Sequence, residues 1–239
     1  TVTFDESYTG TINGVIVYDS SAASTHKLVI KGNGSFGEIQ VSKTSASNPS
    51  IEISGGKFTG NVENYVVPGM TQDDEGNIVI ADDAVAKIGN VGYDTLQAAL
   101  DAAQDGETIT LLKEITNQAL VELGAGTDVT IDLSDFDIGF AENSYFKVNG
   151  GKLHLTGSGK VYEQKAYDAP IKIWGSTTDV ADYSVVTVDE DVTLEGWAGI
   201  FITVNPDSSG VNHAFGVKVT VDGTINSVED KTGYNGHGV

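Results

Sequence analysis

The feature that most constrains this 239-residue chain is how often it is punctuated. Apolar, β-branched runs of three to five residues recur at intervals of about 10 to 13, each closed by Gly, Asn, Asp or Ser. Val15-Ile16-Val17-Tyr18, Leu28-Val29-Ile30, Ile39-Gln40-Val41 and Ile51-Glu52-Ile53 set the pattern, with turn signals at Gly32-Asn33-Gly34 and Ser54-Gly55-Gly56. Runs of this length and composition suit short strands, and glycine-rich breaks mark the turns between them. Further on, Met70 and Ile78-Val79-Ile80 flank a polar turn at Asp73-Asp74-Glu75-Gly76-Asn77. The stretch from Tyr65 to Ile80 therefore reads as a hairpin, with the Gly-Asn step supplying positive φ.

Only one segment carries a helical period. Between Asp94 and Gln104, Leu96, Ala99, Leu100 and Ala103 fall on one stripe. Asp94 with Gln97 three residues on predicts a capping box, and Gly106 a left-handed end. A second train of strands follows, from Glu107-Thr108-Ile109-Thr110-Leu111 to Val217-Lys218-Val219-Thr220-Val221. Internal echoes point to stacked rungs. Residues 51–60 align with 146–157 around Gly-Gly-Lys, and Val186-Thr187-Val188-Asp189 is echoed by Val219-Thr220-Val221-Asp222. A short strand, a polar corner and a second short strand form the unit by which a β-helix coil turns between its faces.

Residues 86–112, built around Tyr93-Asp94-Thr95-Leu96-Gln97-Ala98-Ala99-Leu100, resemble the opening of pectin-lyase-like right-handed β-helix modules in large surface proteins of gut Firmicutes. Residues 53–70 resemble the closing segment of such modules, where the last coil gives way to a hairpin. The resemblance covers about a fifth of the chain and carries no catalytic signature. It implies an all-β fold, a right-handed parallel β-helix solenoid with one short amphipathic capping α-helix. Because the closing segment comes first, it also implies that residues 1–81 are the C-terminal part of one module and 85–239 the capping helix and N-terminal part of the next. The source it implies is secreted and displayed on a Gram-positive cell surface, with this chain a piece of a larger protein.

Composition narrows the function classes. The chain holds 34 Asp and Glu against 13 basic residues, all of them Lys, for a net charge of -21. That balance disfavours nucleic acid and anionic membrane as partners. The absence of Arg removes the usual bidentate reader of carboxylate and phosphate. Zero Cys excludes thiol catalysis, zinc-thiolate sites and disulfide scaffolds, and no run of about 18 apolar residues suggests membrane insertion.

An enzyme reading starts from Gly236-His237-Gly238, since polygalacturonases pair such an element with catalytic aspartates. The other elements of that family are missing: there is no Asn-Thr-Asp triplet and no Arg-Ile-Lys triplet. No catalytic residue is assigned, and the sequence reads as non-enzymatic, with a polysaccharide-active hydrolase or lyase as the alternative. The four His residues (His26, His154, His213 and His237) lack metal-ligand spacing. Asp132, Asp135 and Asp137 offer hard oxygen ligands and are the candidates for Ca²⁺, the one metal considered. No cofactor is otherwise expected.

Binding is the remaining class. Trp174, Trp197, Tyr167 and Tyr183 are the candidate ligand-binding residues, with Tyr162, Phe201 and Tyr234 in the same half of the chain. They lie in or near three insertions, 163–170, 176–184 and 206–215, long enough to project from a rigid stack. The expectation is an adhesin-like binding module or stalk that presents loops to a host glycan or a host protein such as mucin or immunoglobulin. Exposed coil edges add an expectation of end-to-end self-association.

Overall fold

The computed structural model describes residues 1–19, 26–42, 49–163, 168–206 and 209–228. They divide into two compact units: Thr1–Ala84 with Asn90–Asp94, and Val85–Gly89 with Thr95–Val239. Both are built almost wholly of strands, as the punctuated sequence requires, and most strand pairs are parallel. Among the described residues there is one α-helix, Leu96–Ala102.

In the first unit, the strands from Val2 to Phe58 pair in parallel with the strand three further along the chain. Val2–Phe4, Lys27–Ile30 and Ser50–Ile53 form one sheet, Thr11–Ile12, Ser35–Phe36 and Lys57–Phe58 a second, and Ile16–Tyr18 and Ile39–Val41 a third. Alternation sends Leu28, Ile30, Ile51 and Ile53 to the core, where they meet Phe36, Phe58 and Val62. The Phe36 and Phe58 rings stack at 5.1 Å, one above the other on register-paired strands. The expected hairpin is present but shorter than its sequence suggests, pairing Met70–Gln72 with Ile78–Ile80. Pro68, which has no N–H to give, and Gly69, at φ +83, keep the strand from reaching back to Tyr65. Its turn is organised by Asp73, whose Oδ1 accepts the backbone N–H groups of Glu75 and Asn77, and by Gly76 at φ +86.

The second unit repeats the three-strand interval through three sheets until the last strands, Val217–Val221 and Thr224–Ser227, which pair five places on because the short antiparallel pair Asn205–Pro206 and Asn212–His213 intervenes. The first runs Ala86–Ile88, Glu107–Leu111, Asp128–Asp132, Lys152–Thr156, Ser184–Val188, Val217–Val221, parallel throughout except for the antiparallel Ala86–Ile88. The second runs Ile115–Gln118, Ile138–Phe140, Gly159–Tyr162, Val192–Gly196, Thr224–Ser227, and the third Val121–Gly124, Phe146–Asn149, Ile171–Trp174, Ile200–Thr203. In-register pairing, shifted only between Ile115 and Gln118 among the described pairs, places apolar side chains in columns. Ile109, Ile131, Leu155 and Val188 form one, Val121, Phe146, Ile171 and Ile200 another, and Ile138, Val161 and Leu194 a third. All of these are buried. The internal echo has a structural meaning here: Val186-Thr187-Val188 lies in register directly beside Val219-Thr220-Val221.

The helix is capped differently from its sequence expectation. Thr95, not Asp94, is the N-cap, its Oγ1 accepting the Ala98 N–H at 3.1 Å, and the helix ends at Ala102. Thr95, at φ -141 and ψ 152, is the last extended residue before the helix, the backbone position an N-cap occupies. Leu96 and Ala99 form the buried stripe, and the helix lies beside Ala86–Ile88. Gly106 has the expected left-handed conformation, φ +81, but sits beyond the end of the helix.

Because inward residues stack in continuous columns, truncating one removes contacts with the strands on both sides. Leu155→Ala is expected to lower unfolding free energy by about 2–5 kcal/mol. Exposed Thr108→Ala on the same sheet should change it by less than about 0.5 kcal/mol. Denaturant titration of the two variants checks this, and comparable losses would show that the columns carry little of the stability.

Candidate functional site

The same alternation that buries Ile171 and Ile173 turns Lys172 and Trp174 outward together. Register then builds an outward column from Glu122, Lys147, Lys172 and Phe201, and beside it a second from Gly124, Asn149, Trp174 and Thr203. Tyr145, just before Phe146–Asn149, completes the face. Its ring stacks with Trp174 at 6.3 Å between centroids and 22° between planes. The Trp197 and Phe201 rings meet edge to face at 5.7 Å. Tyr183 borders the face, its hydroxyl 3.2 Å from Asn149 Oδ1, the register partner of Trp174. Three of the four aromatic candidates, Trp174, Trp197 and Tyr183, are thus carried to one outer sheet face or its border, each of them half-buried. The fourth, Tyr167, lies outside the described residues, as do Tyr234 and Gly236-His237-Gly238.

Two lysines run through this face, and both are already engaged. The Lys172 ammonium sits 2.6 Å from Asp168 Oδ1 and 3.9 Å from the centre of the Tyr145 ring, with its side chain 18% exposed and that of Asp168 9%. Lys147 pairs with Glu122 at 3.0 Å and lies 5.7 Å from the Trp174 ring centre. Carboxylate and ring together replace the water that each ammonium loses. The face therefore offers aromatic surface and amide or hydroxyl groups, with its formal charges cancelled in place.

Sequence reasoning missed Tyr145, Lys147, Lys172 and Asp168. The signal was the alternation in Ile171-Lys172-Ile173-Trp174, which puts Lys172 and Trp174 on one face once either isoleucine is known to be buried.

The three aspartates considered for Ca²⁺ are not brought together. Asp132 Oδ1 accepts the Ser134 N–H at 2.8 Å, Asp135 Oδ1 the Ser158 hydroxyl at 2.6 Å, and Asp137 Oδ1 the Lys160 N–H at 2.8 Å. Each orders a different point of the corners between strands. Among the described residues no group of three or more His, Asp or Glu is placed to hold a metal ion. The histidines are equally dispersed. His26 Nδ1 is 3.0 Å from the Asp19 carbonyl, His213 stacks on Phe215 at 5.0 Å, and His154 Nε2 lies 2.8 Å from Asp189 Oδ1 on the outer side of the first sheet. The hydrogen bond to His154, followed by one from the Thr156 hydroxyl, holds the Asp189 carboxyl below the usual aspartate range against an opposing contribution from burial. Nearby, Lys160 bridges Glu195 at 3.1 Å and lies over Tyr162, whose ring crosses the backbone at Gly139, where any side chain would collide with it.

Comparison with protein-family models, with curated proteins and with solved structures finds no match to this chain.

The Asp168–Lys172 pair sets up a direct test. Lys172→Met keeps the stem but leaves a nearly buried carboxylate without its cation, and is expected to cost about 2–3 kcal/mol. The double variant Lys172→Met with Asp168→Asn should recover part of that loss. Equal stability of wild type and the single variant, measured by chemical denaturation, would mean that the pair is not desolvated in solution.

Proposed function

We propose that this chain is a non-enzymatic binding module of a bacterial cell-surface protein, built as a right-handed parallel β-helix and binding host glycan through the outer face of its third sheet. The β-helix reading is supported by the three-strand interval of parallel pairing, which recurs in both units. A strand that passes through two further sheets before returning to its own traces one coil, and right-handed crossovers are the rule for parallel connections. The resemblance of residues 53–70 and 86–112 to the closing and opening segments of pectin-lyase-like modules agrees with it, as does their order.

The observation that carries the binding reading is the pairing of the half-buried Tyr145 and Trp174 rings, beside Asn149 and Thr203, on a rigid outward face. Flat aromatic surface with neighbouring amide and hydroxyl groups suits the apolar faces and hydroxyl edges of sugar rings. The carboxylates of Asp168 and Glu122 at this face are each engaged by a lysine. That favours recognition over cleavage.

A glycan array tests the reading. The wild-type chain is expected to bind a restricted set of glycans, and Trp174→Ala to lose them with about a tenfold or greater drop in affinity while its melting transition stays cooperative. Retention of the same binding profile by Trp174→Ala would move the site elsewhere, and release of reducing sugar from a bound polysaccharide would replace the binding reading with an enzymatic one.

A further inference from the structure

We infer that the saccharide held by this face is neutral, and that acidic sugars, whether uronates, sulfated sugars or sialosides, are excluded from it. The inference rests on the glycan-binding reading and adds the charge class of the ligand.

Its basis is the state of the two lysines. An isolated Lys beside an aromatic ring would recruit a carboxylate or sulfate. Here Lys172 already has a carboxylate at 2.6 Å on one side and the Tyr145 ring at 3.9 Å on another, and Lys147 already has Glu122 at 3.0 Å. An anionic sugar would have to displace Asp168, whose side chain is only 9% exposed and whose Oδ1 also accepts the Ala169 N–H at 2.8 Å. Taking the cation away from that carboxylate would leave a charge stranded in a site with little water. The surroundings act in the same direction. With a net charge of -21 and no Arg, the protein's long-range field repels anions.

A positively charged ligand meets one carboxylate already buried against a lysine, Asp168, and one exposed carboxylate, Glu122, that already pairs with Lys147. What remains to be recognised is uncharged: the Trp174 and Tyr145 rings, the Asn149 amide, the Thr203 hydroxyl and the Tyr183 hydroxyl at the border. A sugar ring bearing only hydroxyl or N-acetyl groups matches this set. Acidic residues elsewhere in the protein then exclude the charged analogues, so discrimination comes from repulsion as well as from fit.

Both tryptophans of the chain, Trp174 and Trp197, belong to this face, so intrinsic fluorescence reports on it directly. The full chain is titrated with neutral oligosaccharides (cello-, manno- and N-acetylglucosamine oligomers) and with acidic ones (oligogalacturonate, hyaluronan oligomers and sialyllactose), each at low and at high ionic strength. At least one neutral oligomer is expected to shift the emission with an affinity that changes less than about twofold with salt. Acidic oligomers should bind about tenfold more weakly or not at all at low salt. Trp174→Phe should retain most of the affinity and Trp174→Ala should lose about tenfold, which separates loss of the ring from loss of the fold. Preference for an acidic oligomer, with affinity falling as salt is added, would overturn the neutral assignment while leaving glycan binding intact. Failure of both classes to bind would overturn the glycan-binding reading and this inference with it.

Discussion

The structure depends on one constraint: a strand pairs in parallel with the next strand of its own sheet, which in most cases lies three places further along the chain. Parallel pairing at about 4.8 Å between strands puts every inward side chain directly beside its counterpart in the next strand, so apolar residues form unbroken columns. Ile109, Ile131, Leu155 and Val188 in one sheet, and Val121, Phe146, Ile171 and Ile200 in another, bury one another to essentially zero exposure. Each unit is thereby supplied with a core of its own, without any disulfide, since the chain holds no Cys.

The outer faces follow from the same constraint. If residue i faces in, residues i+1 and i−1 face out, and register carries them into columns of their own. On the third sheet that column gathers Glu122, Lys147, Lys172 and Phe201 and sets Trp174 beside Asn149 and Thr203. Lys147, Lys172, Trp174 and Phe201 stand on strands fixed by the core, and Tyr145, Asp168, Tyr183 and Trp197 flank those strands in the connecting segments. The pairing of Lys147 with Glu122 and of Lys172 with Asp168 also reconciles cations on this face with a chain that is otherwise strongly acidic.

Much of this was legible in the sequence, for physical reasons that can be named. Periodic breaks and β-branched runs are local signals, and so the all-β composition, the single helix and the hairpin were readable. The echo between Val186-Thr187-Val188 and Val219-Thr220-Val221 was readable because residues stacked in one column face the same demands. What failed depended on non-local facts. Asp94 and Thr95 are both good caps, and the choice falls to Thr95 because it is the last extended residue, with its Oγ1 within reach of the Ala98 N–H. Asp132, Asp135 and Asp137 alternate like ligands, yet the corners give each a separate amide or hydroxyl to bind. Trp174, Trp197 and Tyr183 were singled out by residue type alone. Their convergence with Tyr145 and the paired lysines required knowing which strands are neighbours.

The central claim is the parallel register between neighbouring strands of one sheet, and the absence of Cys from the chain allows a clean measurement of it. Thr187 and Thr220 are register partners that alternate with buried residues on Ser184–Val188 and Val217–Val221. Thr187→Cys with Thr220→Cys should oxidise readily to an intramolecular disulfide, since parallel partners bring Cα atoms within the range of about 4.4–6.8 Å that the bond accepts. Thr187→Cys with Lys218→Cys, two residues out of register and about 8 Å apart, should remain reduced under the same conditions. Equal oxidation of the two pairs, or oxidation of only the second, would contradict the stacked arrangement on which the fold and the proposed binding face both rest.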